Sequence, residues 1–133
     1  MPSSECLKSK RILIVDDEQD ILMITKRQLS KLYEVDTIES AADAIDYIRQ
    51  NRVNYDLIVS DIRMPQMTGF EFVREVRKIM PSIKVILMTA FEINKSEFDI
   101  VHPSAQVDAL LRKPFTTPQL RLLIQKHLEV TAA

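Results

Sequence analysis

The chain has 133 residues, enough for one domain with a real core and too few for two ordinary ones. Its 18 basic and 19 acidic residues leave a formal net charge of -1, so no broad positive field favours direct binding to nucleic acid. No apolar run nears the ~20 residues of a bilayer span, and Met1 to Lys10 lacks the apolar stretch of a secretion signal, so a cytoplasmic protein with no membrane partner is expected.

Residues 1–10 read as a flexible N-terminal tail. Its single cysteine, Cys6, forms no intrachain disulfide and belongs to no metal-ligand cluster. From residue 11 onward strand-like and helix-like segments alternate, which argues for an α/β fold around a mostly parallel sheet. Strands are predicted at 11–15, 33–38, 55–60, 84–88 and 108–112. They lack period-two alternation, as expected when helices cover both faces of a sheet. A first helix over 18–31 carries Ile21, Ile24, Leu29 and Leu32 as its inward stripe. The second, over 41–51, opens on Ser40 with Asp43 three residues on, and turns Ala41, Ala44, Ile45 and Ile48 inward. The third, over 69–80, presents Phe72, Val73, Val76 and Ile79 or Met80. A short helix near 95–101 is stopped by His102-Pro103. The last helix, over 117–129, is capped by Thr117 with Pro118 at its first position, or by a Thr116–Gln119 box, and buries Leu120, Leu123, Ile124 and Leu128. Residues 130–133 are expected to fray.

Four of the strand runs end on reactive groups: Arg11–Val15 on Asp16-Asp17, Asp56–Ser60 on Asp61, Val85–Met88 on Thr89 and Asp108–Arg112 on Lys113. In a parallel sheet these ends share the carboxyl edge, where open α/β sheets hold their ligands. Two carboxylates about 4 Å apart repel by ~4 kcal/mol at an effective dielectric of 20, so three acids in one pocket call for a cation. Magnesium fits, because it takes oxygen ligands and is commonly shared with a phosphate, whereas no His and Cys cluster suits zinc. The chain holds one glycine, where ~7% usage predicts about nine, so Gly69 is informative.

The series Asp16-Asp17, then Asp61-Ile-Arg-Met-Pro-Gln-Met-Thr-Gly69, then Met88-Thr89-Ala90, then Lys113-Pro114-Phe115 resembles the receiver domain of two-component response regulators. The likeness covers residues 11–129, taken as the receiver domain. It implies a flavodoxin-like (βα)5 three-layer sandwich whose parallel five-stranded sheet has the order 2-1-3-4-5. It further implies that Asp61 is the phosphoacceptor, taking a phosphoryl group from a sensor histidine kinase or a phosphotransfer protein in a Mg2+-dependent reaction and passing the signal to a downstream protein. A carboxylate nucleophile suits this role, being ionised without a general base. By the same resemblance Asp17 and Asp61 ligate Mg2+ directly, Asp16 does so through water, and the backbone carbonyl of Arg63 completes the protein ligands. Lys113 and Thr89 would then meet the phosphoryl oxygens. Pro114 resembles the family's cis-proline, turning Lys113 into the pocket, and Gly69 would permit a backbone conformation that a side chain opposes.

Three positions depart from the family pattern or add to it. Leu110 stands where an aromatic residue usually follows the phosphorylation state, so the usual coupling from Thr89 has no ring to move. Arg63 and Phe91 occupy positions that tune acyl-phosphate lifetime and could stack over the pocket. His102 and His127 read as surface residues outside any phosphotransfer bundle. The leading expectation is a signalling switch rather than an enzyme, limited to self-phosphorylation from small phosphodonors and autodephosphorylation, with no output domain in this chain. A Mg2+-dependent phosphatase would need an acid two residues after its nucleophile, and Arg63 cannot supply that proton. A receiver-like binding module without phosphorylation is the third reading.

Overall fold

The computed structural model describes residues 10–51, 54–64, 66–89 and 108–130. In chain order these form β1 (Arg11–Val15), α1 (Gln19–Leu29), β2 (Glu34–Ile38), α2 (Ala41–Asn51), β3 (Leu57–Asp61), α3 (Gly69–Ile79), β4 (Lys84–Thr89), β5 (Ala109–Arg112) and α4 (Thr117–Val130). All strand pairs are parallel and the sheet order is β2-β1-β3-β4-β5. The predicted strands and described helices match within two residues, the first helix being trimmed most, from 18–31 to 19–29. The short helix near 95–101, Phe91, His102 and the two predicted tails, apart from Lys10 and Val130, lie outside the described residues.

Both faces of the sheet are covered, which is why its strands read as continuous apolar runs. Leu13, Val15, Ile58, Val85 and Leu87 point to one side, where α2 lays down Ala41, Ala44, Ile45 and Ile48 and α3 adds Phe72, Val73 and Val76. The alternate residues Ile12, Ile14, Leu57, Val59, Ile86 and Met88 point to the other side. There they meet Leu22 and Leu29 of α1 and Leu120, Ile124 and Leu128 of α4. Full burial of each Val, Leu, Ile, Phe or Met among them contributes about 1.5–3 kcal/mol, so the two cores hold the four described helices against the sheet.

The inward stripe of α1 is only partly the expected one: Leu29 is buried and Leu32 packs against the same core, but Leu22 takes the place expected for Ile21 and Ile24. Leu22, Thr25 and Leu29 are buried, while Ile24 is 57% exposed and Ile21 half-buried. Spacing alone allowed either stripe, since a run of Ile21, Leu22, Met23 and Ile24 has no polar residue to mark its outer face.

Side-chain caps set the helix starts. The Ser40 hydroxyl accepts from the Asp43 amide at 3.1 Å. At α4 the Thr116 box is the one that forms: Gln119 N donates to Thr116 Oγ1 at 3.2 Å, and Thr116 N donates to Gln119 Oε1 at 2.8 Å. A full capping box of Thr68 and Glu71 opens α3, and it pulls the Glu71 carboxyl below its ordinary range through the hydrogen bonds with Thr68. The edge strand β5 is set by Asp108. Its amide donates to Val85 O at 3.0 Å, and its carboxylate accepts from Val85 N at 2.8 Å and from Arg77 of α3 at 3.1 Å.

Candidate functional site

β2 and β3 flank β1 on opposite sides, so the chain reverses direction across the sheet between them and opens a crevice at the carboxyl ends of β1 and β3. Asp16, one residue past β1, and Asp61, the last residue of β3, meet there. Asp16 is 0% exposed and Asp61 7%. Thr89 closes β4 and is also buried, one step beyond the pair Asp61–Met88 in the β3–β4 register. Lys113 follows β5. Its amide donates to Thr89 O at 2.6 Å, and the Lys113–Pro114 peptide is cis, as the resemblance implied.

The ammonium of Lys113 ties the edge together. Its Nζ lies 3.0 Å from Asp16 Oδ2 and 3.1 Å from Asp61 Oδ2. A third carboxylate, Glu18, reaches the same nitrogen at 3.3 Å. The carboxylates of Asp16, Glu18 and Asp61 come within 4.8 Å of one another, close enough to share a cation. These hard oxygen donors suit a divalent ion such as magnesium. Asp17 is exposed and is not part of that group, and Arg63 donates its amide to Asp61 Oδ1 at 3.3 Å.

Burial pushes the Asp16 carboxyl up, against the opposing pull of the Glu18 amide and the Lys113 ammonium. Burial alone would lower Lys113, but its hydrogen bonds to Asp16 and Asp61, and their charges, hold it above the ordinary lysine range. Among the described residues the pocket is thus an excess of negative charge gathered on the Lys113 ammonium, and it favours further positive charge.

Gly69 shapes the pocket floor for a reason other than backbone conformation. The left-handed residue in this loop is Gln66, at φ 73°, and no glycine has a positive φ. A Cβ on Gly69 would instead lie 2.6 Å from the Asp61 carbonyl oxygen and 2.9 Å from Ile62 Cα. The absent side chain lets α3 start hard against the end of β3, where Gly69 N donates to Ile62 O at 2.7 Å. Met64 and Met67 pack this loop onto the α2/α3 core, and the Ser60 hydroxyl donates to Asp61 O at 3.0 Å.

Beside Lys113 runs an open groove of about 480 Å³ lined by Ile21, Ile24, Pro114 and Phe115, with Glu18 at its border. The exposed Ile24 and half-buried Ile21 of α1 thus share one setting. Leu110 is 37% exposed on β5, and His127 is half-buried with Nδ1 2.9 Å from Leu123 O.

The residue missed by sequence reading is Glu18. The signal was present, an acid directly after Asp16-Asp17, but it was absorbed into the start of the first helix.

Sheet order and the crevice at its carboxyl edge together place the chain among the CheY-like receiver domains. It belongs to the response regulator receiver domain family, whose model matches residues 12–125. Among curated proteins it is 30% identical over 125 residues to sporulation initiation phosphotransferase F of Bacillus subtilis, covering 92% of this chain and 96% of that protein. A CheY-like receiver domain from Methanospirillum hungatei superposes with a TM-score of 0.82 at 32% identity, over 90% of this chain and 94% of that one. The response regulator TrrA of Thermotoga maritima, solved in complex with Mg(2+)-BeF, gives a TM-score of 0.74 at 36% identity, over 88% and 97%. The chain spans a minor part of other relatives, 16% of transcription factor SKN7 of Chaetomium thermophilum and 28% of regulatory protein GlrR of Escherichia coli. Among the described residues no helix is long and apolar enough to cross a membrane.

Proposed function

We propose that the chain is a phosphorylatable signalling switch in the cytoplasm, accepting a phosphoryl group on Asp61 from a sensor histidine kinase or phosphotransfer protein and changing its contacts with a downstream protein. A carboxylate oxygen of Asp61 attacks phosphorus as the P–N bond of the donor's phosphohistidine breaks. The bonding pair leaves on the imidazole nitrogen, which takes a proton, and Asp61 becomes an acyl phosphate. With acetyl phosphate the bond that breaks is P–O, and acetate leaves. Lys113 neutralises charge on the transferring oxygens, and Thr89 donates a hydrogen bond to the attached group. Asp16, Asp17, Asp61 and the Arg63 carbonyl would hold Mg2+, which supplies further charge neutralisation at the phosphoryl oxygens.

The observation that carries this reading is the Lys113 ammonium, 3.1 Å from Asp61 and 3.0 Å from Asp16, with Thr89 buried between their strands. The groove of Ile21, Ile24, Pro114 and Phe115 supports it, giving a donor protein apolar surface next to the acceptor. The relative solved with Mg(2+)-BeF supports the same chemistry.

The test is incubation with acetyl phosphate and MgCl2, read by intact mass, for wild type and Asp61→Ala. A single phosphoryl adduct that needs Mg2+ and vanishes in the variant is expected. No adduct on wild type, with beryllofluoride also failing to bind, would point to a binding module. Sustained turnover of a small phosphomonoester would point to a phosphatase.

A further inference from the structure

Lys113 has three N–H donors, and the structure places a carboxylate oxygen near each one's reach: Asp16 at 3.0 Å, Asp61 at 3.1 Å and Glu18 at 3.3 Å. Two of these acids are buried and belong to the phosphoryl and metal chemistry proposed above. Glu18 differs, with a side chain 58% exposed while the lysine it contacts is 10% exposed. It therefore closes the solvent side of the ammonium. No cap hydrogen bond comes from its side chain, although Glu18 is the N-cap residue of α1, so helix capping does not account for its orientation. Its backbone amide donates to Asp16 Oδ1 at 3.0 Å, which fixes its Cα beside the pocket.

An ammonium with every donor engaged gives a full hydrogen bond to a phosphoryl oxygen only once a contact is released. Of the three carboxylates close enough to share a cation, Asp16 and Asp61 are buried and belong to the ligand set that the resemblance implies, so their claim on Lys113 weakens when a cation binds. Glu18 stands outside that set in the resemblance and keeps its claim. We propose that Glu18 is a positioning residue for the acceptor site, a surface tether that retains Lys113 in the resting pocket and must yield it for the phosphoryl group to be held. This inference rests on the switch reading. It assigns the negative charge at the pocket rim a role in setting how readily the site is loaded, acting through Lys113.

Glu18→Gln keeps the length and polarity of the side chain and removes its charge. At saturating Mg2+, beryllofluoride binding followed by NMR is expected to tighten by about two- to fivefold, the size of a partly exposed ion pair. The gain is expected to disappear in a Lys113→Ala background, because the effect passes through the ammonium. In metal-free protein, the Lys113 ammonium 1H–15N signal is expected to exchange faster with water in Glu18→Gln than in wild type. A gain of the same size with Lys113→Ala would instead show simple repulsion of the anion and overturn the tether, as would unchanged ammonium exchange. Unchanged beryllofluoride affinity in Glu18→Gln, with wild type binding normally, overturns the tether and leaves the switch standing. Wild type that binds no beryllofluoride overturns both.

Discussion

At Asp16 the fold accepts a cost that the proposed metal site explains. The side chain is fully buried, and burial raises its carboxyl above the ordinary value of 3.8. A carboxylate whose folded pKa exceeds its unfolded pKa destabilises the fold when ionised, and the penalty is complete above the folded value. Asp16→Asn, which mimics the protonated acid, is therefore expected to raise the Tm of metal-free protein at pH 7 by roughly 3–6 °C. Calorimetry across pH checks the sign: the gain should shrink as pH falls through the raised pKa and vanish below the ordinary one. Gly69 presents the opposite case, a position where nothing can be added. Its missing Cβ faces the Asp61 carbonyl at 2.6 Å, backbone that cannot give way, so Gly69→Ala is expected to cost about 1–3 kcal/mol in urea unfolding and to weaken beryllofluoride binding by displacing Asp61. The sequence drew attention to Gly69 by its rarity but not to its reason. Close approach between a strand end and a helix start is a tertiary distance, and a backbone-conformation argument was the only local one on offer.

Among the elements, α1 shows what periodicity can and cannot decide. The strands, α2, α3 and α4 were legible because each buried stripe is bounded by charged or polar residues, as Ala41, Ala44, Ile45 and Ile48 are by Asp43, Asp46 and Arg49. In α1 four apolar residues stand in a row, and the sheet selects Leu22 rather than Ile24. Leu22→Ala is expected to lose about 2–4 kcal/mol of stability, whereas Ile24→Asn is expected to stay within about 0.5 kcal/mol of wild type. Equal losses in urea titration would mean that the helix is rotated from the orientation described. The site was legible for a related reason. Asp16, Asp61, Thr89 and Lys113 each stand at or just past the end of a strand, so a parallel sheet had to bring them to one edge. Glu18 was not, because its place at the pocket depends on how the chain leaves β1, with its amide bonded back to Asp16.

Across the whole molecule, the lysine contact joins strands that do not touch. Asp61 ends β3 and Lys113 follows β5, with β4 between them, so one ammonium spans three strands and reaches Asp16 beyond β1. β5 is the edge strand, four residues long, paired on one side only. Its carboxyl end is held by Lys113 and its amino end by the Asp108 contacts to Val85 and Arg77. A ligand that engages Asp61, Thr89 and Lys113 together should therefore act on the whole sheet. A ligand bound to the folded state alone at 100 times its Kd adds about 2.7 kcal/mol, or roughly 8–15 °C in Tm for a domain of this size. Mg2+ with beryllofluoride is expected to produce a rise of this order in wild type and none in Asp61→Asn. Hydrogen exchange should slow in Ala109–Arg112 more than in β2, which carries none of the engaged residues. Asp16→Asn should begin from a higher Tm and gain less, because it has already shed the charge that the bound cation would balance. A full ligand-induced rise in that variant would separate Asp16 from the metal, and uniform protection of β2 and β5 would show that Lys113 does not transmit binding to the edge.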